Sequence, residues 1–198
     1  MEPRQTGEKY DRIARWWQER HQHSQYGVAA VTRALDYLGE GAIALDAGCG
    51  AGGRMVRLME DRGLAVTGVD VSAEMIALAK AQHPEHTFIH QDICTFKPEV
   101  QYDFILAWDS LFHLPLSDQE QVVAKLSKHV AEGGILLLTC GNDCGEHTDS
   151  WMDDTFYYSS IGINRNLQLM MSAGLTIVHT ELDQYPQKHV LIIARRQD

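Results

Sequence analysis

The chain has 198 residues, 44% hydrophobic and 22% charged, a composition that fits one globular domain with enough apolar material for a core. Its formal charge of −10, with no Lys/Arg block, argues against nucleic acid or an anionic membrane as partner, because phosphate binding needs clustered positive charge. Four cysteines without a CxxC pair, no apolar leader in residues 1–25 and no apolar run near the roughly 20 residues of a membrane span point to a reduced, cytoplasmic setting.

Residues 10–17 have the pattern of an amphipathic turn or two. Residues 26–39 then put Val28, Val31, Leu35 and Leu38 on one helical face, with Gly39 as the stop. "AIALDAG" reads as a short buried strand and "RMVRLMEDRG" as a helix closed by Gly63. "LAVTGVD" is a second strand, followed by a helix capped by Ser72 and ended before Pro84. "TFIHQD" and "YDFILAWD" are the third and fourth strands. Ser117 and Glu120 have capping-box spacing and predict a helix over 118–131, ended by Gly133–Gly134. "ILLLTC" is a fifth strand, 141–163 a long irregular segment, and "NRNLQLMMSAG" a helix ended by Gly174. "LTIVHTEL" and "HVLIIARR" close the pattern as two strands joined by a loop containing Pro186. Alternating strands and helices mean one doubly wound, mostly parallel α/β sheet covered on both faces. The last connection is too short for a crossover helix, so the final pair is expected to be antiparallel.

The stretch "IALDAGCGAGG" raises the main chemical question. Gly48, Gly50 and Gly53 satisfy a dinucleotide fingerprint, and Asp70 stands at the end of the next strand, where a ribose-binding acid belongs. Asp46, immediately upstream, would face a pyrophosphate at a cost. It is better explained by a positively charged ligand, and S-adenosylmethionine carries a sulfonium and an ammonium on an adenosine. Such a ligand needs carboxylates for its hydroxyls and amines, and a close backbone approach that glycine permits.

"LDAGCGAGG" resembles motif I of the class I S-adenosylmethionine-dependent methyltransferases, small-molecule branch. "TGVDVS", "HQDI", "YDFILAWDSLFHL" and "AEGGILLLT" resemble later segments of that superfamily, in order and over essentially the whole chain. The resemblance implies a Rossmann-like fold of seven strands, mostly parallel with an antiparallel last strand, in a single domain 1–198. It implies that the backbone of Gly48, Cys49 and Gly50 approaches the methionyl part, with Asp46 on the ammonium side. Asp70 would accept from both ribose hydroxyls, Val71 and Met75 would touch the adenine, Asp92 its amino group, and Ile93 would give a backbone contact. Ala107 and Trp108 would lie near the sulfur.

Methyl transfer needs alignment and a dry pocket, and a base only where the acceptor arrives protonated. His113, just past the fourth strand, is the candidate base, and Asp109 the candidate that orients the acceptor. By the same resemblance, residues 1–27 and 141–163 would cover the acceptor. Tyr10, Trp16, Trp17, His21 and Tyr26 would form one half of the lid, and Trp151, Phe156, Tyr157 and Tyr158 the other. An aromatic, acid-rich lid favours a neutral or cationic small acceptor. Cys140, Cys144 and His147 lack a second ligand pair, and His83, His86 and His90 straddle a proline turn and a strand, so no metal is expected. The product would be S-adenosylhomocysteine. A nicotinamide-dependent oxidoreductase and a non-enzymatic binding module remain the alternatives.

Overall fold

The computed structural model describes residues 1–198 apart from 185, 187 and 198. Strands β1 (Ile43–Ala47), β2 (Ala65–Asp70), β3 (Thr87–His90), β4 (Tyr102–Ala107) and β5 (Val130–Gly141) run parallel. β9 (His189–Arg196) is antiparallel to both β5 and β8 (Leu175–Leu182). The resulting seven-stranded order is β3-β2-β1-β4-β5-β9-β8. Side-chain alternation along the buried strands divides the core in two. Ala44, Phe104, Leu106, Ile135 and Leu137 pack on the side of α2 (Val28–Leu35) and α3 (Gly53–Asp61), whereas Leu45, Ile105, Leu136 and Leu138 pack on the side of α5 (Leu116–Lys128) and α6 (Gly162–Ser172). Ser72 caps α4 (Ala73–Gln82) by accepting from the Met75 N–H at 3.1 Å. Asp11 supports the same cap from outside, taking the Ser72 hydroxyl at 2.6 Å and the Glu74 N–H at 3.0 Å. No helix of the described residues is long and apolar enough to cross a membrane.

Four local expectations are corrected. The N-terminal segment is one helix, α1 (Pro3–His21), started by a Glu2/Gln5 capping box with Pro3 in the first turn. Its buried residues are Pro3, Thr6, Gly7 and Ala14, and Gly7 is so close to Val71 that a Cβ would lie 2.5 Å from the Val71 carbonyl oxygen. α5 opens at Leu116 after Pro115, not at a Ser117/Glu120 box: Ser117 donates to Asp118 and Glu120 pairs with Arg165. Gly133–Gly134 do not end that helix but lie inside β5, where a Cβ at Gly134 would meet the Asp103 carbonyl at 2.9 Å. Residues 141–163 are not irregular: β6 (Cys144–Trp151) and β7 (Asp154–Ile161) form a hairpin around Met152–Asp153, both at positive φ.

Candidate functional site

A cavity opens outside the carboxyl ends of β1, β2 and β4, where the strand order reverses between β1 and β4. That switch point is where open α/β sheets receive ligands, because the loops on either side diverge. Its floor is the loop from Ala47 to Gly53, and its walls include Val69–Val71, Met75, Gln91–Ile93 and Trp108–Leu111. α1 lies across it and contributes Pro3, Thr6, Tyr10, Trp17, Gln18 and His21.

The glycines do different jobs. Gly48 has φ 86, and a Cβ there would lie 2.2 Å from the Ser110 Cβ, so this position is glycine because Ser110 occupies the space. Ser110 donates to the Ala47 carbonyl at 2.6 Å, which fixes that contact. At Gly50, with φ 53, a Cβ would meet nothing within 4 Å. This is the open stretch of backbone that faces the cavity. The Cys49 thiol turns into the core against Gly68, and burial pushes its pKa up.

Two carboxylates frame the loop. Asp70 accepts from the Gly50 N–H at 2.8 Å and the Ser72 N–H at 2.9 Å, one on each oxygen. Burial pushes its pKa up against these donors. Asp46 is 3% exposed, and burial, with the charge of Asp70, raises its pKa to about 7; Arg54 partly offsets this. Asp92 accepts from the Cys94 N–H at 2.8 Å, which turns the chain so that Asp92 and Ile93 both line the cavity. Val71 and Met75 give it an apolar side. These features suit an adenosine bearing a charged amino-acid tail: an acceptor set for vicinal hydroxyls, apolar walls for a base, and an acid beside exposed backbone.

Ala107 is a correction. Strand alternation sends its side chain into the core on the α5 side, fully buried and away from the cavity, while Trp108 turns to the α2 side and lines it. Asp109 also lines it, with φ 51, and takes the Thr139 hydroxyl at 3.1 Å and His189 Nε2 at 2.8 Å.

His113 lines the cavity and is held by two partners. Its Nδ1 lies 2.9 Å from the Tyr157 carbonyl, which only accepts, so that nitrogen carries the proton. Nε2 therefore takes the Tyr10 hydroxyl at 2.9 Å. Burial lowers the His113 pKa to about 4, keeping the ring neutral, and burial raises that of Tyr10. The Nε2 lone pair of His113 is thus taken by the Tyr10 hydroxyl.

The aromatic halves meet, but most of them do not line the cavity. Tyr10 packs edge-on to Trp17 at 5.6 Å and Phe156 at 5.4 Å, and Trp151 packs against Trp16 and Trp17 at 5.5 and 5.9 Å. Lys9 and Arg12 of α1 both pair with Asp154 at the start of β7, and this holds helix and hairpin together. Trp16, Trp151, Tyr157 and Tyr158 are not part of the described lining: Tyr157 bonds Glu146 and the Leu116 N–H, and Tyr158 lies between His113 and His147, at 5.0 and 5.3 Å. Tyr26 is in neither half and stands under the wall, 5.3 Å from Trp108. Sequence reading missed Arg54, the only Lys or Arg among the described lining residues, and Thr6, Gln18 and Gln22. The spacing of Thr6, Tyr10, Trp17 and His21, on one helical face, was the available signal. Among the described residues no group of three His, Cys, Asp or Glu is placed to hold a metal.

A family profile described as a methyltransferase domain matches residues 44–134. Malonyl-(acyl-carrier protein) O-methyltransferase of Salmonella typhimurium is 32% identical over 112 residues, 56% of this chain and 44% of that protein. Trans-aconitate 2-methyltransferase of Enterobacter sp. is 32% identical over 139 residues, 67% of this chain and 54% of that one. The chain thus spans about half the length of these curated relatives. Among solved structures, the (4+2)-cyclase SpnF superposes with a TM-score of 0.75 at 18% identity, covering 99% of this chain and 96% of that chain. The 1,6-didemethyltoxoflavin-N1-methyltransferase of Burkholderia thailandensis, bound to 1,6-didemethyltoxoflavin and S-adenosylhomocysteine, gives 0.72 at 20% identity, covering 98% and 87%. The structural likeness carries the fold, and the matched segment contains the glycine loop, Asp70, Asp92 and the β4 end. Residues 44–134 thus match a methyltransferase domain, and the sheet order around them is that of the class I S-adenosylmethionine-dependent methyltransferase fold.

Proposed function

We propose that the protein transfers a methyl group from S-adenosylmethionine to a neutral or cationic small molecule by in-line displacement. The observation that carries this reading is the pairing of open backbone at Gly50 with an Asp70 carboxylate that the Gly50 and Ser72 N–H groups already orient. Asp70 would take the ribose hydroxyls, Asp92 and Ile93 the adenine edge, Val71 and Met75 its face, and Asp46 the ammonium. When bound, the cofactor supplies the electrophilic methyl group and a neutral leaving sulfide.

The chain's own residues do the rest. α1 and the hairpin exclude water over the cavity. Tyr10 receives a donor hydrogen of the acceptor, and the proton lost by a protonated acceptor passes to Tyr10 while Tyr10's own goes to His113 Nε2. Asp109 orients the acceptor from the β4 side. The acids Asp46, Asp70, Asp92 and Asp109 against the single cation Arg54 disfavour an anionic acceptor, in contrast to what the names of the malonyl and aconitate enzymes state for those relatives.

The dinucleotide reading is disfavoured by the buried acid at the loop and by the reversed β9. Binding without methyl transfer is the second reading, since one close structural neighbour is called a cyclase. Calorimetric titration with S-adenosylhomocysteine, against NAD(H) and NADP(H), tests the site. Micromolar binding of the first alone is expected, and binding of a nicotinamide cofactor instead would overturn the proposal. Acceptor screening by S-adenosylmethionine turnover then separates enzyme from binding module.

A further inference from the structure

Behind the cavity wall, Asp109 joins a cluster of ionisable groups whose other members the proposed reaction does not use. Because β9 is reversed, it begins at the sheet edge where β5 ends, with His189 opposite Gly141. The reversal brings Asp183 and His189 up to Asp109. His189 Nδ1 bonds to Asp183, and Nε2 stands 2.8 Å from Asp109 Oδ1. The Asp109 backbone N–H donates to Thr139 Oγ1 at 2.8 Å, and the Thr139 hydroxyl returns a bond to Asp109. Tyr26 Oη lies 3.2 Å from His189 Nε2 and accepts from the Gln184 amide, and the Trp108 ring is 5.9 Å from the imidazole. Arg54 of α3 attracts Asp109 from the loop side. Lys188, next in the chain, points away to Asp143.

Ionised carboxylates only accept hydrogen bonds. An imidazole with a carboxylate on each nitrogen must therefore donate from both and carry a positive charge. Asp109 needs this support, because a left-handed backbone is strained at any residue with a Cβ and persists only where its surroundings impose it. Its neighbours transmit the shape: Trp108 forms the wall, and Ser110 presses on Gly48 and bonds Ala47.

We propose that His189, as an imidazolium clamped between Asp183 and Asp109, is a positioning residue that holds the Trp108–Ser110 turn, and through it the glycine loop, in the ligand-receiving shape. Loss of one ring proton to solvent leaves a lone pair facing one carboxylate and releases the turn. Burial opposes the charge, but Asp109 and Asp183 outweigh it and hold the pKa above the usual 6.5. The shape is thus maintained below the His189 pKa and lost as pH rises through it. This inference rests on the cofactor reading for one of its two readouts.

The first readout is an NMR titration of the intact chain. His189 should titrate above 6.5, lower in the Asp183→Asn variant, and the Trp108 indole N–H resonance should move with the same midpoint. The second is S-adenosylhomocysteine affinity against pH. Wild-type affinity should fall roughly tenfold through the His189 midpoint, the loss of one charged hydrogen bond. His189→Arg, which keeps two charged donors, should show no such fall, and His189→Phe should bind weakly throughout. A His189 midpoint at or below 6.5, or a Trp108 resonance indifferent to it, overturns the proposal. So does a His189→Phe affinity profile that matches wild type. If the wild type binds no S-adenosylhomocysteine at any pH, the cofactor reading fails and the NMR result alone decides the role of His189.

Discussion

Replacing Asp70 with alanine isolates the contact on which the cofactor reading stands. Each carboxylate oxygen already accepts one backbone N–H, from Gly50 at 2.8 Å and Ser72 at 2.9 Å, which leaves each one further direction for a ribose hydroxyl. Hydrogen bonds to a charged group contribute about 1.5–3 kcal/mol net, and the truncation should remove about that much binding energy. At about 1.4 kcal/mol per tenfold, affinity for S-adenosylhomocysteine falls roughly 10- to 150-fold. Stability should fall less than affinity. The two freed N–H groups face a widened cavity that water enters, and removal of a carboxylate disfavoured by burial offsets part of their loss. The assay is calorimetry of both proteins at one fixed pH near neutrality, with thermal unfolding in parallel. An affinity within roughly twofold of wild type, with unchanged unfolding, refutes the ribose assignment, because that is the scale of a substitution that touches nothing.

Asp46 predicts the acid side of the same binding profile. Its pKa is raised to about 7, and a ligand ammonium favours the ionised form, so binding near pH 7 should release roughly half a proton. Affinity should then fall by up to about tenfold per unit below that pH, and the Asp46→Asn variant should lose this dependence. Calorimetry in buffers of different ionisation enthalpy measures the release, and none at pH 7 would place the ammonium elsewhere. Gly7→Ala drives a methyl group toward the Val71 carbonyl at 2.5 Å. Overpacking of about 1–3 kcal/mol should exceed the helix-propensity gain of up to about 1 kcal/mol, lowering Tm by about 2–4 °C per net kcal/mol. An unchanged Tm would show that α1 shifts off Val71 freely.

The half of the site assigned to the cofactor was legible because its chemistry is local. Asp46, Asp70 and Asp92 each stand at or just past a strand end, and a glycine turn follows the first. In the half assigned to the acceptor, Tyr10, His113 and Asp109 were legible singly but not their pairing, because the partners are far apart in the chain: Tyr10 with His113, Asp109 with His189. Periodicity says nothing about which distant segments meet. α1 was underread for a different reason. Its buried face is Pro3, Thr6, Gly7 and Ala14, too small and polar to register as an apolar stripe. Gly133–Gly134 looked like a helix stop because glycine punctuates locally, whereas here β5 needs a residue without Cβ beside Asp103. Gly48 lines the cavity, and the side chain it lacks would strike Ser110.

The placement of the aromatic residues has a spectroscopic consequence. All four tryptophans sit at two places: Trp16, Trp17 and Trp151 in the seam between α1 and the hairpin, and Trp108 in the cavity wall. The emission of the unlabelled chain therefore carries no signal from the far side of the sheet. Parting of α1 from the hairpin would separate indoles now 5.5–5.9 Å apart and expose them to water, giving a red shift. Ligand entry would act on Trp108 and on Trp17, which lines the cavity too, and a Trp108→Phe chain would leave the seam as the sole emitter. Comparing that chain with wild type thus separates the wall's response from the seam's in a stopped-flow trace, with the protein's own residues as the dyes.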